Sequence, residues 1–483
     1  MTAFSPVKGS SKLLKIFEKL CYYLLKNFEK MNRGGVMDNI AALVRESLNQ
    51  PLPPFVRREE IIRDLPRPKR FNLVEIITGM RRSGKTFYLF QKMAQLLEEG
   101  VPRDRLFYFD FADDRLLPAA PTVMADVVDE FWRQSPQARE QGCYLFLDEV
   151  QEVEQWQSTC QRLAENEAVT LVITGSSSKL SSEEIATKFR GRSHAHEMLP
   201  LSFREFCRFQ SVPVPDDARD AFSPQQRTAL ESLFDRYLVE GGFPGVQNRL
   251  PEDRIEILQS YARDVVARDV AERLGREDIR LANQFALYGL RNTACEFSIN
   301  QLVESFKELG FKIYWEKADH IVDLLQQAFL LLRVEEYRVS LKPQSTVLPK
   351  IYAIDPGISY AVSRANQQDI GKRFETAVYL ELRRRMAGRR TEAITSYTAP
   401  GPRRQKVDFL LGDALAAEPY ALIQASASMH ADKTREREIG SLAAAMAATG
   451  ISEGTVVTLR EEGTVESNAG AIHIVPAWKW FLG

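Results

Sequence analysis

Residues 75–90 read "EIITGMRRSGKTFYLF". An apolar run ends in Gly79, and Gly79-Met80-Arg81-Arg82-Ser83-Gly84-Lys85-Thr86 has the spacing GxxxxGK[ST] ahead of a helix-compatible stretch. Strand, glycine-rich turn and helix start, in that order, make a phosphate cradle. The glycines let backbone amides wrap an anion, and the helix N-terminus favours negative charge. In such a cradle Lys85 reaches the β- and γ-phosphates and Thr86 binds Mg2+. Gly79, Arg81, Arg82, Ser83 and Gly84 complete the nucleotide-binding set.

Further apolar runs follow at 105–111 "RLFYFDF", 143–150 "CYLFLDEV", 169–177 "VTLVITGSS" and 193–202 "SHAHEMLPLS", with helical stretches between most of them. Strands alternating with helices imply an α/β class and a parallel sheet covered on both faces. The third strand ends in Asp148-Glu149. An Asp at that tip can hold Mg2+ through water, and the Glu can polarise an attacking water. Ser176, past the next strand, is placed to orient that water or touch the γ-phosphate. Arg190 and Arg192, just before the fifth strand, are placed to reach a neighbouring subunit's γ-phosphate.

The chain has 483 residues, more than one ordinary core, so several domains are expected. Its formal net charge is -1, so any nucleic-acid surface must be local. Five scattered cysteines without a CxxC pair suggest a reduced, cytoplasmic protein with neither a disulfide framework nor a zinc ribbon. The stretch "KLLKIFEKLCYYLLKNFEKM" (12–31) is apolar at helical spacing but carries charges throughout, unlike a signal peptide or membrane span. It reads as a membrane-surface or partner helix, as a docking helix, or as the product of a start placed too early, since Met37 offers a second start ahead of another helix; residues 1–50 are thus expected to be a helical extension, with the dispensability of the first 36 residues an open alternative. The Pro-rich stretch 49–71 reads as a linker.

After residue 203 the pattern turns helical, interrupted by "EGGFPG" (240–245). Residues 298–337 read helix, turn, helix and an extended piece, a winged-helix-like order. From about residue 371 a second α/β pattern begins.

The order "GMRRSGKT", "FLDEV", "ITGSSSKL", "FRGR", "LPLSFREF", "EGGFPG" resembles the bacterial and archaeal AAA+-type ATPases with a C-terminal domain of unknown function. The resemblance spans roughly residues 50–483. It implies a P-loop core using ATP and Mg2+, a winged-helix-like segment that "KIYAIDPGI" (350–358) follows, and assembly as a homo-oligomer. No second-sensor arginine is clear; Arg263 and Arg268 are candidates.

The C-terminal layout is that of a PD-(D/E)XK nuclease-like fold, with Glu375 on a helix and Asp408 on a strand. The next strand should carry Glu-x-Lys and carries Gln424-Ala425-Ser426 instead. The lysine is missing, so the site reads as degenerate, with Lys406 a conceivable replacement. From Lys372 to Lys406 there are ten Lys or Arg against three Glu, a local surplus suited to a phosphate backbone. The expected parts are an extension at 1–50, a P-loop core at 51–205, a helical lid at 206–275, a winged-helix-like part at 276–350 and a nuclease-like part at 351–483. The expected function is Mg-ATP hydrolysis coupled to engagement of DNA through the winged-helix and 372–406 regions. The alternatives are a nucleotide switch acting on a protein partner, or an ATP-dependent nuclease.

Overall fold

The structure, a computed structural model, describes residues 37–117, 120–175, 189, 191–215, 222–274, 278–337, 348–363, 367–388, 392–401, 405–413 and 418–483. The stretch 12–31, Ser176, Arg190, and Arg389, Arg390, Arg403 and Arg404 of the basic run lie outside the described residues. The chain divides into two compact units. One comprises the chain up to Pro53, Pro66–Val74 and Met93–Ile173. The other comprises Pro54–Leu65, Glu75–Lys92 and Thr174–Gly483.

All five expected N-terminal strands form: β1 (Val74–Thr78), β2 (Leu106–Asp110), β3 (Cys143–Asp148), β4 (Val169–Thr174) and β5 (Ser193–Glu197). In the first unit β2, β3 and β4 are neighbours in that order, and in the second β1 neighbours β5. In the first unit β2, β3 and β4 run parallel, with Asp110 opposite Asp148. Every residue of β3 and β4 is buried, which is why both read as unbroken apolar runs. Helix Val123–Gln134 covers this sheet, and the ring of Phe131 stacks 4.3 Å from that of Phe107. The helix expected after Met37 spans residues 37–49 and buries Ile40, Leu43 and Val44.

In the second unit the helices Phe203–Phe209 and Pro224–Glu240 each begin with a capping box, Ser202 with Glu205 and Ser223 with Gln226. Helix Pro251–Val265 continues into a π-helical turn, Val266–Val270. Gly241 of "EGGFPG" has φ +73, and a Cβ there would stand 2.0 Å from Asp355 Oδ1. Only glycine fits this approach. Asp355 accepts hydrogen bonds from the amides of Gly242 (2.6 Å) and Ile358 (3.0 Å), so it caps helix Pro356–Val362 while holding the glycine turn.

Residues 279–353 form helix Ile279–Arg291, helices Ile299–Glu308 and Trp315–Gln327, and a small antiparallel sheet in the order β6-β8-β7 (β6 Cys295–Glu296, β7 Leu331–Val334, β8 Lys350–Ala353). The last part is a six-stranded sheet, β13-β14-β12-β11-β10-β9. Its strands are β9 (Glu392–Ala399), β10 (Gln405–Asp413), β11 (Glu418–Ser426), β12 (Glu453–Thr458), β13 (Gly463–Ser467) and β14 (Gly470–Pro476). β9, β10 and β11 are antiparallel neighbours, whereas β11, β12 and β14 run parallel. Helices Ile370–Arg385 and Asp432–Thr449 pack on it. Trp478 is buried on the short helix Ala477–Leu482 that follows β14. Among the described residues no helix is long and apolar enough to cross a membrane.

Candidate nucleotide site

β1 delivers the glycine-rich turn and helix Lys85–Glu98 receives it, as the spacing required. Gly79 has φ +149 and a Cβ on it would lie 2.3 Å from the carbonyl oxygen of Met198, so any side chain there would displace the loop. The Lys85 side chain is buried and its Nζ donates to the carbonyls of Gly79 (3.0 Å) and Met80 (3.2 Å). The ammonium is thus anchored on the loop it serves. Ser83 is fully buried, and its Oγ has no hydrogen-bond partner among the described residues. A buried hydroxyl left over inside a cradle of this shape suits an anion acceptor. These residues fit a nucleotide triphosphate.

Arg81 and Arg82 do not point with Lys85. Arg81 binds both carboxylate oxygens of buried Asp269, at 3.0 and 3.1 Å through Nε. Arg82 pairs with Asp264 at 2.7 Å and lies 4.2 Å over the Tyr261 ring. Their side chains fasten the loop to helix Pro251–Val265 and its π-turn, leaving their backbone amides for the phosphate role. Arg263 and Arg268, on the same stretch, are exposed.

The stretch taken as a linker supplies a residue the sequence reading missed. Arg58 is buried, donates to the Ser83 carbonyl (2.7 Å) and the Leu199 carbonyl (2.9 Å), and meets Glu205 at 2.6 Å. It therefore braces the phosphate loop from behind. Burial alone would raise the Glu205 carboxyl, but the charge and hydrogen bond of Arg58, with two backbone amides, hold it below the usual range. Only the local sequence SFREF hinted at an acid worth pairing.

In the first unit, Asp148 ends β3 almost fully buried and accepts a hydrogen bond from the Tyr108 hydroxyl at 3.1 Å. Glu149 follows with φ +50, a left-handed conformation uncommon for a glutamate. Its Oε2 accepts from Gln151 Nε2. β2 brings Asp110 beside Asp148. Burial, then the charges of Asp148, Glu149 and Asp113, push the Asp110 carboxyl up to about 6 despite the amide of Ala112. Asp110, Asp148 and Glu149 gather carboxylates on adjacent strand tips, and carboxylate oxygens are the ligands that Mg2+ takes. Asp110 was visible in "RLFYFDF" but had no motif to single it out. On the other unit, Thr174 is buried at the end of β4, and Arg192 is exposed just before β5.

The C-terminal acids have a different environment from the one expected. Lys350 Nζ lies 2.7 Å from both Glu375 Oε1 and Asp408 Oδ1, with all three side chains nearly buried. The Tyr352 hydroxyl also donates to Glu375 Oε1 (2.8 Å). Burial would lower the Lys350 ammonium, but Asp408 and Glu375 raise it above its usual range. Two carboxylates sharing one ammonium leave an excess negative charge. Burial and Asp408 accordingly push Glu375 up to about 7. Gln424 does not join them: its Oε1 accepts from the Asp408 amide (3.1 Å) and its Nε2 donates to Glu438 (2.7 Å). Ser426 Oγ turns to the Ser428 carbonyl. Lys406 pairs with Glu296 at 2.8 Å, so the cation at this site is Lys350 from β8. It lies 25 residues before Glu375, on a different sheet from the strand where Glu-x-Lys would fall.

The basic run is also less open than its composition suggested. Arg383 binds Glu197, Arg384 the carbonyls of Pro200 and Leu201, Arg385 Glu381, and buried Arg373 the Leu238 carbonyl. A charge surplus in sequence is here spent on internal partners.

Residues 72–207 match a family model described as an AAA domain, and residues 231–369 match a domain of unknown function, DUF8612. An uncharacterized protein of Methanocaldococcus jannaschii is 30% identical over 419 residues, covering 85% of this chain and 88% of its own length. The chain belongs to that protein's family. The chain is also 26% identical over 333 residues to an uncharacterized protein of Haemophilus influenzae, covering 68% of this chain and 79% of that one. Among solved structures, the Walker-type ATPase of Pyrococcus abyssi aligns at 13% identity and a TM-score of 0.37, covering 67% of this chain and 94% of that one. The AAA domain spans β1 to β5, so the cradle and the acidic strand tips both fall inside it.

Proposed function

We propose that this protein binds and hydrolyses Mg-ATP. The observation that carries the reading is the closed cradle at Gly79, with Lys85 held inside it on two loop carbonyls. Lys85 neutralises the β- and γ-phosphates, and the amides of the 79–86 turn hold their oxygens. Thr86 and Asp148 hold the magnesium, with Asp110 adding charge. Bound Mg2+ supplies neutralisation of charge developing on the phosphates. Glu149 takes the proton of the attacking water, and Ser176 orients it. Arg190 and Arg192 act on a neighbouring subunit's nucleotide in a homo-oligomer. The pairs Arg81–Asp269 and Arg82–Asp264 carry changes at the cradle to the helical lid at 206–275.

The output of that cycle separates two readings. In the first, residues 276–350 act as a winged helix that engages DNA with the 372–406 region. In the second, the partner is a protein. Two observations favour the second. Helix Trp315–Gln327, the second helix of the segment read as winged-helix-like, carries Glu316, Asp319 and Asp323 against Lys317, which is itself paired with Asp278. Tyr314 and Trp315 are exposed at its start, apolar surface that suits a protein contact. ATP turnover with and without single- and double-stranded DNA tests this. Stimulation by either DNA would reverse the preference, and an unchanged rate supports a protein partner. The nuclease alternative is disfavoured because Gln424 and Ser426, standing where Glu-x-Lys is expected, turn their side chains to Glu438 and the Ser428 carbonyl and bring no further carboxylate to Glu375 and Asp408.

A further inference from the structure

Away from the phosphate cradle, β1 and its sheet neighbour β5 present three further ligand-type side chains: Glu75, His194 and His196. His194 and His196 are two apart on one strand, so their rings share a face. Their ring centroids are 4.1 Å apart. Both converge on one oxygen, Glu75 Oε2: His196 Nε2 at 2.6 Å and His194 Nδ1 at 3.4 Å. The three ligand atoms all lie within 4.8 Å of one another. Glu75 and His196 are almost fully buried, whereas His194 is 45% exposed.

A buried carboxylate needs a matching positive charge. A divalent ion bound by the same three atoms supplies that charge at one centre. Zinc binds imidazole nitrogen and carboxylate oxygen at about 2.0–2.2 Å, which sets tetrahedral ligands roughly 3.3 Å apart. The two measured separations straddle that value, so small side-chain shifts admit an ion. The three residues also line a cavity of about 950 Å3 whose walls include Arg63, Arg333 and Arg385. A remaining coordination position therefore has room for water or a small anion.

We infer that Glu75, His194 and His196 form a binding site for a divalent transition-metal ion of the zinc class, with an open position facing this cavity. Two imidazoles and a carboxylate disfavour Mg2+, which takes oxygen ligands. The site is separate from the magnesium expected at Thr86 and Asp148. Glu75 stands four residues before Gly79 on the strand that leads into the cradle, roughly 13 Å at strand rise.

The test uses the full chain, stripped with a chelator and titrated with Co2+ without nucleotide or Mg2+. One Co2+ per chain is expected, with visible ligand-field bands, no thiolate charge-transfer band, and displacement by Zn2+. H194A should weaken binding by at least about tenfold. It should still bind ATP, because this half-exposed ring can be removed without opening the core. E75Q should weaken it comparably, and K85A should leave it unchanged. Zn2+ should raise the thermal midpoint of the wild type and not that of H194A. No stoichiometric binding, a thiolate band, or undiminished binding by H194A would overturn the inference.

Discussion

At the scale of single residues, the cradle and the acidic tips make separate demands. Lys85→Ala removes the principal cation facing the phosphates and should abolish measurable ATP binding by titration calorimetry, while the fold survives. Gly79→Ala should do more, since its Cβ meets the Met198 carbonyl in a backbone conformation that alanine avoids. Asp110 allows a pH test with a defined sign. Its folded value of about 6 lies above the ordinary carboxylate value near 3.9. The folded state therefore binds more protons, and the cost of ionising Asp110 is absent below pH ~3.9, grows through the interval, and is complete above pH ~6. Asp110→Asn should accordingly stabilise the magnesium-free protein at pH 7 and have little effect at pH 4, measured by urea unfolding. An effect larger at pH 4 would contradict the crowding of acids around Asp148.

Local elements were legible wherever one residue pattern served one purpose. β1 through β4 announced themselves because they are largely buried apolar runs, whereas β5 is polar and only half-buried and followed from the alternation; the phosphate loop was legible because only glycine satisfies its backbone. What stayed hidden was long-range pairing. Arg58 sits in a Pro-rich stretch that looks like tether, yet its value lies in reaching Ser83, Leu199 and Glu205, up to 147 residues away. Arg81 and Arg82 looked like phosphate ligands because of their loop, and Asp269 and Asp264 that engage them carry no motif. The π-turn at Val266–Val270 that carries Asp269 has no sequence signature at all. These pairs yield a prediction about coupling between the loop and the helix that follows it. Asp269 is buried, so Asp269→Ala strands Arg81 and should cost about 3 kcal/mol. Arg81→Ala and Asp269→Ala together should cost less than their sum, and additivity in denaturant unfolding would show that the pair is not an interacting unit.

Over the whole chain, the sequence located the C-terminal acids and misjudged their neighbourhood. Composition suggested a basic track from Lys372 to Lys406, but the described arginines of that run are largely turned inward onto carbonyls and acids. The lysine missing from the Gln424–Ser426 strand is replaced in space by Lys350, which belongs to the preceding small sheet and which linear spacing could not find. Lys350→Met leaves Glu375 and Asp408 buried without a cation and should destabilise the protein by about 3–5 kcal/mol. If the ammonium stands where a metal would otherwise bind, Mn2+ should restore part of that loss to Lys350→Met while leaving the wild type unaffected. A variant as stable as the wild type in the absence of metal would show that the three groups do not depend on one another.

The most direct test of the central claim compares ATP turnover and ATP binding in the same preparations of wild type and Glu149→Gln. The account predicts that Glu149→Gln binds Mg-ATP with near wild-type affinity and turns it over ~100-fold or more slowly, because the attacking water has lost its base. Turnover at the wild-type rate by Glu149→Gln, or no ATP binding by the wild type, would contradict it.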